Sequence, residues 1–143
     1  MDTVSKSQRS YNMSRIKSKD TGPEMTVRKK LFSRGLRYRL HVKTLPGKPD
    51  LVVKKYKVIV DVRGCFWHGH KNCKYSSQPK SNSQYWTEKI DKNKDRDHKN
   101  TQKWKELGFN VFTIWECETK NDGALSLIID KIMNSKNKQP IFR

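Results

Sequence analysis

Ten residues of this chain, Gly64-Cys65-Phe66-Trp67-His68-Gly69-His70-Lys71-Asn72-Cys73, hold two of its three cysteines and two of its four histidines. Cys65, His70 and Cys73 follow the spacing C-x4-H-x2-C, short enough for one turn to bring three soft donors onto one ion. Thiolate combined with imidazole favours Zn2+ in a tetrahedral site. Cys117, far along the chain, is a candidate fourth ligand, and a Cys3His set closes a structural site with no open position for chemistry. The competing account of Cys117 is an ordinary buried cysteine. An odd number of cysteines with no export signal at the start points to reduced thiols rather than a disulfide framework. His68 and the Phe66-Trp67 pair are left over from the zinc set.

Other residues could do the chemistry that such a site cannot. Pro49-Asp50 opens a strand and Asp61-Val62-Arg63 ends the next, a spacing like the PD…(D/E)xK pattern of nucleases with Arg63 in the lysine place. Carboxylates at neighbouring strand ends are how nucleases gather Mg2+ at a phosphodiester. In the long helical stretch, the stripe Trp86, Ile90, Asn93, Asp97, Thr101, Trp104, Leu107 recurs at helical spacing, yet two of its positions are the polar Asn93 and Asp97. An inward carboxylate needs a partner. Asp97 could hold one nitrogen of His68 and turn the other toward water, a general-base dyad, or it could form a structural pair with Arg96. Phe66, Trp67 and Trp86 bracket this region and suit either base stacking or core packing.

The elements that must position these groups are legible as α-β-β-β-α-β-α. Thr21-Gly22-Pro23-Glu24 is a capping box with proline in the first turn, and predicts a helix to Ser33–Arg34 with Val27, Leu31 and Phe32 inward and Gly35 as its stop. Glu24 is first of all the N3 cap, though an acid in so basic a chain could also face a metal or its water. Leu36–Val42 alternates strictly, with Arg37, Arg39 and His41 on the outer face. Asp50–Val53 and Lys57–Val62 follow as strands, the latter central. Trp86–Leu107 is one helix ended by Gly108, Asn110–Trp115 a strand, and Leu125–Met133 a last helix. Residues 1–20 read as a basic arm that orders on a partner or frays, 21–135 as the domain, and 136–143 as a polar tail.

Charge decides the partner class. The chain carries 32 Lys and Arg against 14 Asp and Glu, a formal net charge of +18 on 143 residues. That favours a polyanion. A membrane is a poor fit, because no apolar run approaches the ~20 residues of a spanning helix. With no long apolar stripe left over, a monomer is expected.

Taken together, Asn12-Met13-Ser14-x-Ile16, Lys19-Asp20-Thr21-x-Pro23-Glu24, Leu45-Pro46-Gly47-x-Pro49-Asp50, Gly64-Cys65-Phe66-Trp67-His68-Gly69-His70, Trp86-x-x-Lys89-Ile90, Asn93-x-x-Arg96-Asp97 and Trp115-Glu116-Cys117 closely resemble the very-short-patch-repair (Vsr-type) DNA mismatch endonucleases of bacteria, over roughly residues 9–119. The resemblance implies a restriction-endonuclease-like α/β fold, a central mixed β-sheet flanked by helices, with one structural zinc. It implies an Mg2+-dependent nick on the 5′ side of the thymine in a T:G mismatch left by deamination of 5-methylcytosine. It also implies a cytoplasmic, nucleoid-associated enzyme that works alongside a cytosine-5 methyltransferase and mismatch-repair proteins. By position, Asp50 matches the Mg2+ carboxylate, Val62 a backbone-carbonyl ligand, His68 the base, Asp97 its orienting partner, and Glu24 an acid that holds water beside the metal. Cys65, His70, Cys73 and Cys117 match the zinc ligands. Phe66, Trp67 and Trp86 match aromatics that enter the DNA stack, with Met13 approaching from the arm and Asn93 also at the DNA. A wedge of this kind discriminates by deformation, since a mismatched step unstacks more easily.

The chain departs from the family where Asp61-Val62-Arg63-Gly64 replaces apolar-x-His-Gly. Alternation along the strand turns Asp61 and Val62 to opposite faces, so with Val62 at the metal the (D/E)xK match is expected to be a decoy. Arg63 is then expected to hold a phosphate or a guanine edge. Two other readings stay open: a restriction-type nuclease that cuts paired DNA with Asp50 and Asp61, and a non-catalytic zinc-dependent DNA-binding module.

Overall fold

The computed structural model describes residues 21–76 and 81–135. The basic arm 1–20 with Met13, part of the polar loop after Cys73, and the tail 136–143 lie outside the described residues.

Helix α1 spans Gly22–Ser33, and Thr21 caps it by accepting the Glu24 N–H at 3.3 Å. Gly35, at φ +84°, turns the chain out of the helix. Its inward face is Val27 and Leu31, as the spacing predicts. Phe32 is not inward: it is 56% exposed, with the Arg37 guanidinium 4.0 Å over its ring. A twelve-residue helix exposes one side of its last turn, and the cation covers the ring instead of the core.

Strands β1 (Arg39–Leu40), β2 (Leu51–Val53), β3 (Val58–Arg63) and β4 (Asn110–Trp115) form one sheet in that order among the described residues. β1–β2 and β2–β3 are antiparallel, and β3–β4 is parallel, so the sheet is mixed. The parallel step needs a crossover. Helix α2, Ser83–Glu106, supplies it, followed after β4 by a short helix α3, Glu116–Thr119, and by α4, Asp122–Asn134.

Each strand sends alternate side chains into one of two layers. Leu51, Val53, Val58, Val60 and Ile114 join Val27, Leu31, Leu125, Ile129 and Ile132 in a core between the sheet and α1 with α4. Val52 and Ile59 pack on the opposite face against Trp104 of α2, with Phe109 and Val111 beside them. Burying a side chain such as Ile59 contributes about 2–3 kcal/mol. By the same alternation Asp61 and Arg63 follow Ile59 onto the α2 side, while Val62 packs against the first core.

Two expectations about these elements fail for local backbone reasons. The alternating run Leu36–Val42 yields only a two-residue strand, because His41 adopts φ +47°. That kink sends Val42 into the α2-side core rather than the face shared by Leu36, Tyr38 and Leu40. Leu107 is 47% exposed rather than in the stripe. The helix has already ended at Glu106, Gly108 turns at φ +90°, and Phe109 takes the apolar place instead.

Candidate active site

The loop that follows β3 folds back on itself and meets the start of α3. The His70 N–H donates to the Cys65 carbonyl at 2.9 Å, and Ser76 Oγ donates to the carbonyls of His70 and Cys73 at 2.7 Å each. The donor atoms of Cys65, His70, Cys73 and Cys117 all lie within 4.8 Å of one another. His70 Nδ1 is 3.6 Å from Cys65 Sγ and 3.5 Å from Cys117 Sγ. In a tetrahedral zinc site, bond lengths near 2.3 and 2.05 Å separate sulfur from nitrogen by about 3.6 Å. The four residues therefore fit a zinc ion with Nδ1 as the imidazole donor. Burial pushes the Cys65 thiol up to about 12 and raises Cys117 as well, so without a cation neither readily ionises. The His70 ring stacks flat on Trp115, 4.0 Å between centroids and 8° between planes. Glu116 accepts the Cys65 N–H at 3.2 Å.

On the other side of the same loop lies a cleft of about 1030 Å³. Glu24, Asp50, Asp61, Val62, His68 and Asp97 all line it. His68 Nδ1 meets Asp97 Oδ2 at 2.5 Å, with both side chains mostly buried. The stripe on α2 that should have been apolar thus carries its carboxylate to an imidazole, not to Arg96. Asn93, one turn earlier, donates to the Trp67 carbonyl at 2.7 Å and accepts from Arg96 at 2.9 Å. It ties the loop to the helix.

Asp50 stands immediately before β2. Leu51 pairs with Val60, so the next antiparallel position puts Asp50 across from Asp61. Burial pushes the Asp50 carboxyl up to about 7, and Glu24 and Asp61 add like-charge repulsion that His41 and His68 only partly offset. Acids crowded in this way fit a hard divalent cation held by oxygen donors. Glu24 is 2% exposed, and its carboxylate is not spent on the N-cap. Oε2 lies 3.3 Å from Arg28 Nη1 and 3.3 Å from His41 Nε2.

His41 is the residue that the sequence pattern misplaced. Its ring stands between two acids, Nε2 toward Glu24 and Nδ1 3.8 Å from Asp50 Oδ1. The donor atoms of Glu24, His41 and Asp50 fall within 4.8 Å of one another. Strict alternation assigned this side chain to the outer face, and the positive φ reverses it. The one available signal was chemical, a histidine inside a run whose other outward residues are arginines.

Asp61 and Arg63 also stand differently from expectation. Asp61 is not turned away from Asp50. It is its cross-strand neighbour, because the antiparallel register sets the two positions opposite each other on the α2 face; Asp61 and Val62 do point to opposite faces, as alternation requires. The Asp61 carboxylate is bound by Arg63 Nε at 2.8 Å. Burial raises its pKa against that pull. Arg63 therefore points inward, with its side chain 15% exposed, rather than out toward a phosphate or a base.

Phe66, Trp67 and Trp86 form one edge-to-face cluster with centroids 5.1, 5.3 and 5.7 Å apart. Each ring is half-buried against the others, so neither member of the Phe66-Trp67 pair is fully outward. Tyr85 extends the cluster at 5.0 Å from Trp86, and Lys89 lies 5.9 Å over the Trp67 ring.

The sequence family DNA mismatch endonuclease Vsr matches residues 1–74. The chain is 50% identical over 120 residues to the type II nicking enzyme V.NmeAIP of Neisseria meningitidis, covering 84% of this chain and 85% of that protein. It is 41% identical over 133 residues to the type II nicking enzyme V.XorIIP of Xanthomonas oryzae pv. oryzae, covering 93% and 97%. It is 39% identical over 125 residues to the DNA mismatch endonuclease Vsr of Escherichia coli, covering 87% and 80%. With an α/β fold and a mixed sheet that suit a restriction-endonuclease-like architecture, the chain belongs to the Vsr family of DNA mismatch endonucleases.

Proposed function

We propose that this protein nicks one strand of duplex DNA on the 5′ side of the thymine in a T:G mismatch, and so starts very short patch repair. The observation that carries the reading is the 2.5 Å contact between His68 Nδ1 and Asp97 Oδ2 in the cleft that also holds Asp50 and Glu24. Relatives named as a mismatch endonuclease and as nicking enzymes support the reaction class.

In this reading Asp50 and the Val62 carbonyl would hold Mg2+, with Glu24 fixing water beside it. A Mg2+ ion held there would supply Lewis-acid polarisation of the scissile phosphodiester and stabilisation of its leaving oxygen. His68 does the proton work. With Nδ1 held by Asp97, its Nε2 accepts a proton from water as the water oxygen bonds to phosphorus and the ester oxygen leaves. Asp97 stabilises the imidazolium that forms. Cys65, His70, Cys73 and Cys117 would hold a structural Zn2+ that fixes the loop carrying His68. Phe66, Trp67 and Trp86 would stack on bases beside the mismatch, at about 1–3 kcal/mol per base. The net charge of +18 supplies the affinity for the backbone. A cytosine-5 methyltransferase, whose product generates the mismatch on deamination, and mismatch-repair proteins are the functional partners in this scheme. The protein acts as a monomer in the cytoplasm.

One observation favours a second reading. Asp61 lies across from Asp50, as a restriction-type nuclease that cuts paired DNA would need. The ion pair with Arg63 argues against it, because it occupies the carboxylate that reading requires free.

The test is a strand-specific nicking assay with Mg2+ on a T:G duplex and its T:A counterpart across varied flanking sequences. Preferential nicking of the T:G strand 5′ to the thymine is expected. Equal double-strand cleavage of the paired duplex overturns the reading in favour of the restriction-type one. Tight binding with no cleavage of either favours a binding module.

A further inference from the structure

Arg63 sits where the sheet, helix α2 and the zinc-ligand loop meet. Its Nε is 2.8 Å from Asp61 Oδ2 and 4.0 Å from Asp97 Oδ2, the same oxygen that His68 Nδ1 meets at 2.5 Å. Its Nη2 donates to Thr101 Oγ1 at 3.4 Å. Asp97 and Thr101 are one helical turn apart, so the guanidinium spans that turn and sets the helix against β3. Its Cζ lies 5.6 Å over the Trp115 ring, the ring that stacks on His70. The three charged side chains Arg63, Asp61 and Asp97 are 15%, 14% and 12% exposed.

The planar fork donates through Nε to Asp61 and through Nη2 to Thr101, while its delocalised charge lies 4.0 Å from Asp97 as an ion pair. A lysine in its place presents a single point charge and can hold one carboxylate but not bridge to the helix. Without a cation at this point, Asp61 and Asp97 face each other as like charges across the gap between β3 and α2.

We infer that Arg63 is a positioning residue for the His68–Asp97 pair: it fixes Asp97 against β3 and keeps Asp61 out of the acid set around Asp50. The inference rests on the nicking reading for its kinetic consequence, but its structural consequence can be read without any activity. It also separates Arg63 from a DNA contact. A residue that grips phosphate supports binding, whereas one that aligns the base supports the chemical step.

The test compares wild type with Arg63→Ala, Arg63→Lys and the double variant Arg63→Ala/Asp61→Asn. The double variant removes the unpaired buried charge that could unfold the single one. Two quantities are measured: single-turnover nicking of the T:G duplex against DNA concentration with Mg2+, and the low-field proton signal of the His68 Nδ1–H, identified by its loss in His68→Gln. In Arg63→Ala and in the double variant, the saturating rate constant is expected to fall by about 10- to 100-fold. The half-saturating DNA concentration should stay within about threefold, and the low-field signal should vanish or broaden. Arg63→Lys should recover part of the rate. An unchanged rate with weakened DNA binding overturns the inference and makes Arg63 a DNA contact. A wild-type signal in either alanine variant overturns it as well, as does full recovery of rate in the double variant. Should wild type show the signal yet nick no T:G duplex, the nicking reading fails, and the signal alone decides the positioning role.

Discussion

The Trp115 indole lies flat on the His70 imidazole, 4.0 Å between ring centres. A residue at the end of β4, the strand that pairs in parallel with β3 at one edge of the described sheet, thus clamps one of the four side chains of the Cys/His cluster, and Cys117 follows it by two positions. The loop that carries His68 is fastened at its far end to β4 rather than to its own strand.

Removing the zinc set should therefore cost the fold and not merely the loop. Cys73→Ser, or chelation, is expected to lower the unfolding midpoint by more than about 10 °C, because structural zinc contributes directly to folding free energy. Re-addition of one equivalent of Zn2+ should restore the chelated protein. A melting curve indifferent to chelator contradicts the structural role.

His68→Ala tests the dyad. Its ring is not among the zinc donors, and it touches Asp97 across the cleft. Loss of a positioned general base should slow nicking by at least about 100-fold, with zinc content and melting temperature close to wild type. Wild-type turnover in this variant would remove His68 from the mechanism.

Asp50 and Asp61 face one another but should behave differently. Burial pushes the Asp50 carboxyl up to about 7 in the fold against an ordinary 3.8. An acid whose pKa is raised on folding destabilises the protein above its ordinary value, increasingly from about pH 4 and fully above about pH 7. Asp50→Asn should thus abolish Mg2+-dependent nicking yet raise the metal-free melting temperature by a few degrees at about pH 8. Asp61→Asn should keep activity within about tenfold, since its carboxylate serves Arg63. Comparable losses of activity at both positions would support the paired-DNA nuclease.

His41 holds Glu24 and Asp50 apart with one ring nitrogen toward each. His41→Ala is expected to raise the Mg2+ concentration for half-maximal nicking by about tenfold, the usual cost of losing a group that orients metal ligands. His41→Gln, which can still donate to one acid, should lose less. Identical Mg2+ titrations for wild type and the alanine variant would make the contact incidental.

Sequence alone determined the local and the chemically scarce. The Thr21 cap, the glycine stops at Gly35 and Gly108, and the strand Asn110–Trp115 follow from backbone and capping preferences that act within a few residues. Thiols and imidazoles at ligand spacing singled out Cys65, His70, Cys73 and Cys117, which the fold brings together, and a carboxylate in an apolar stripe singled out Asp97, which meets His68, because few residue types occur in such places without a partner. Tertiary structure decided what depends on facing. A single left-handed residue turned His41 from the outer face into the acid cluster. Antiparallel pairing put Asp61 opposite Asp50, and the packing of α2 on the sheet drew Arg63 inward. Those outcomes are set by register and by which charges meet across elements distant in the chain, and neither is written in the periodicity of any one segment.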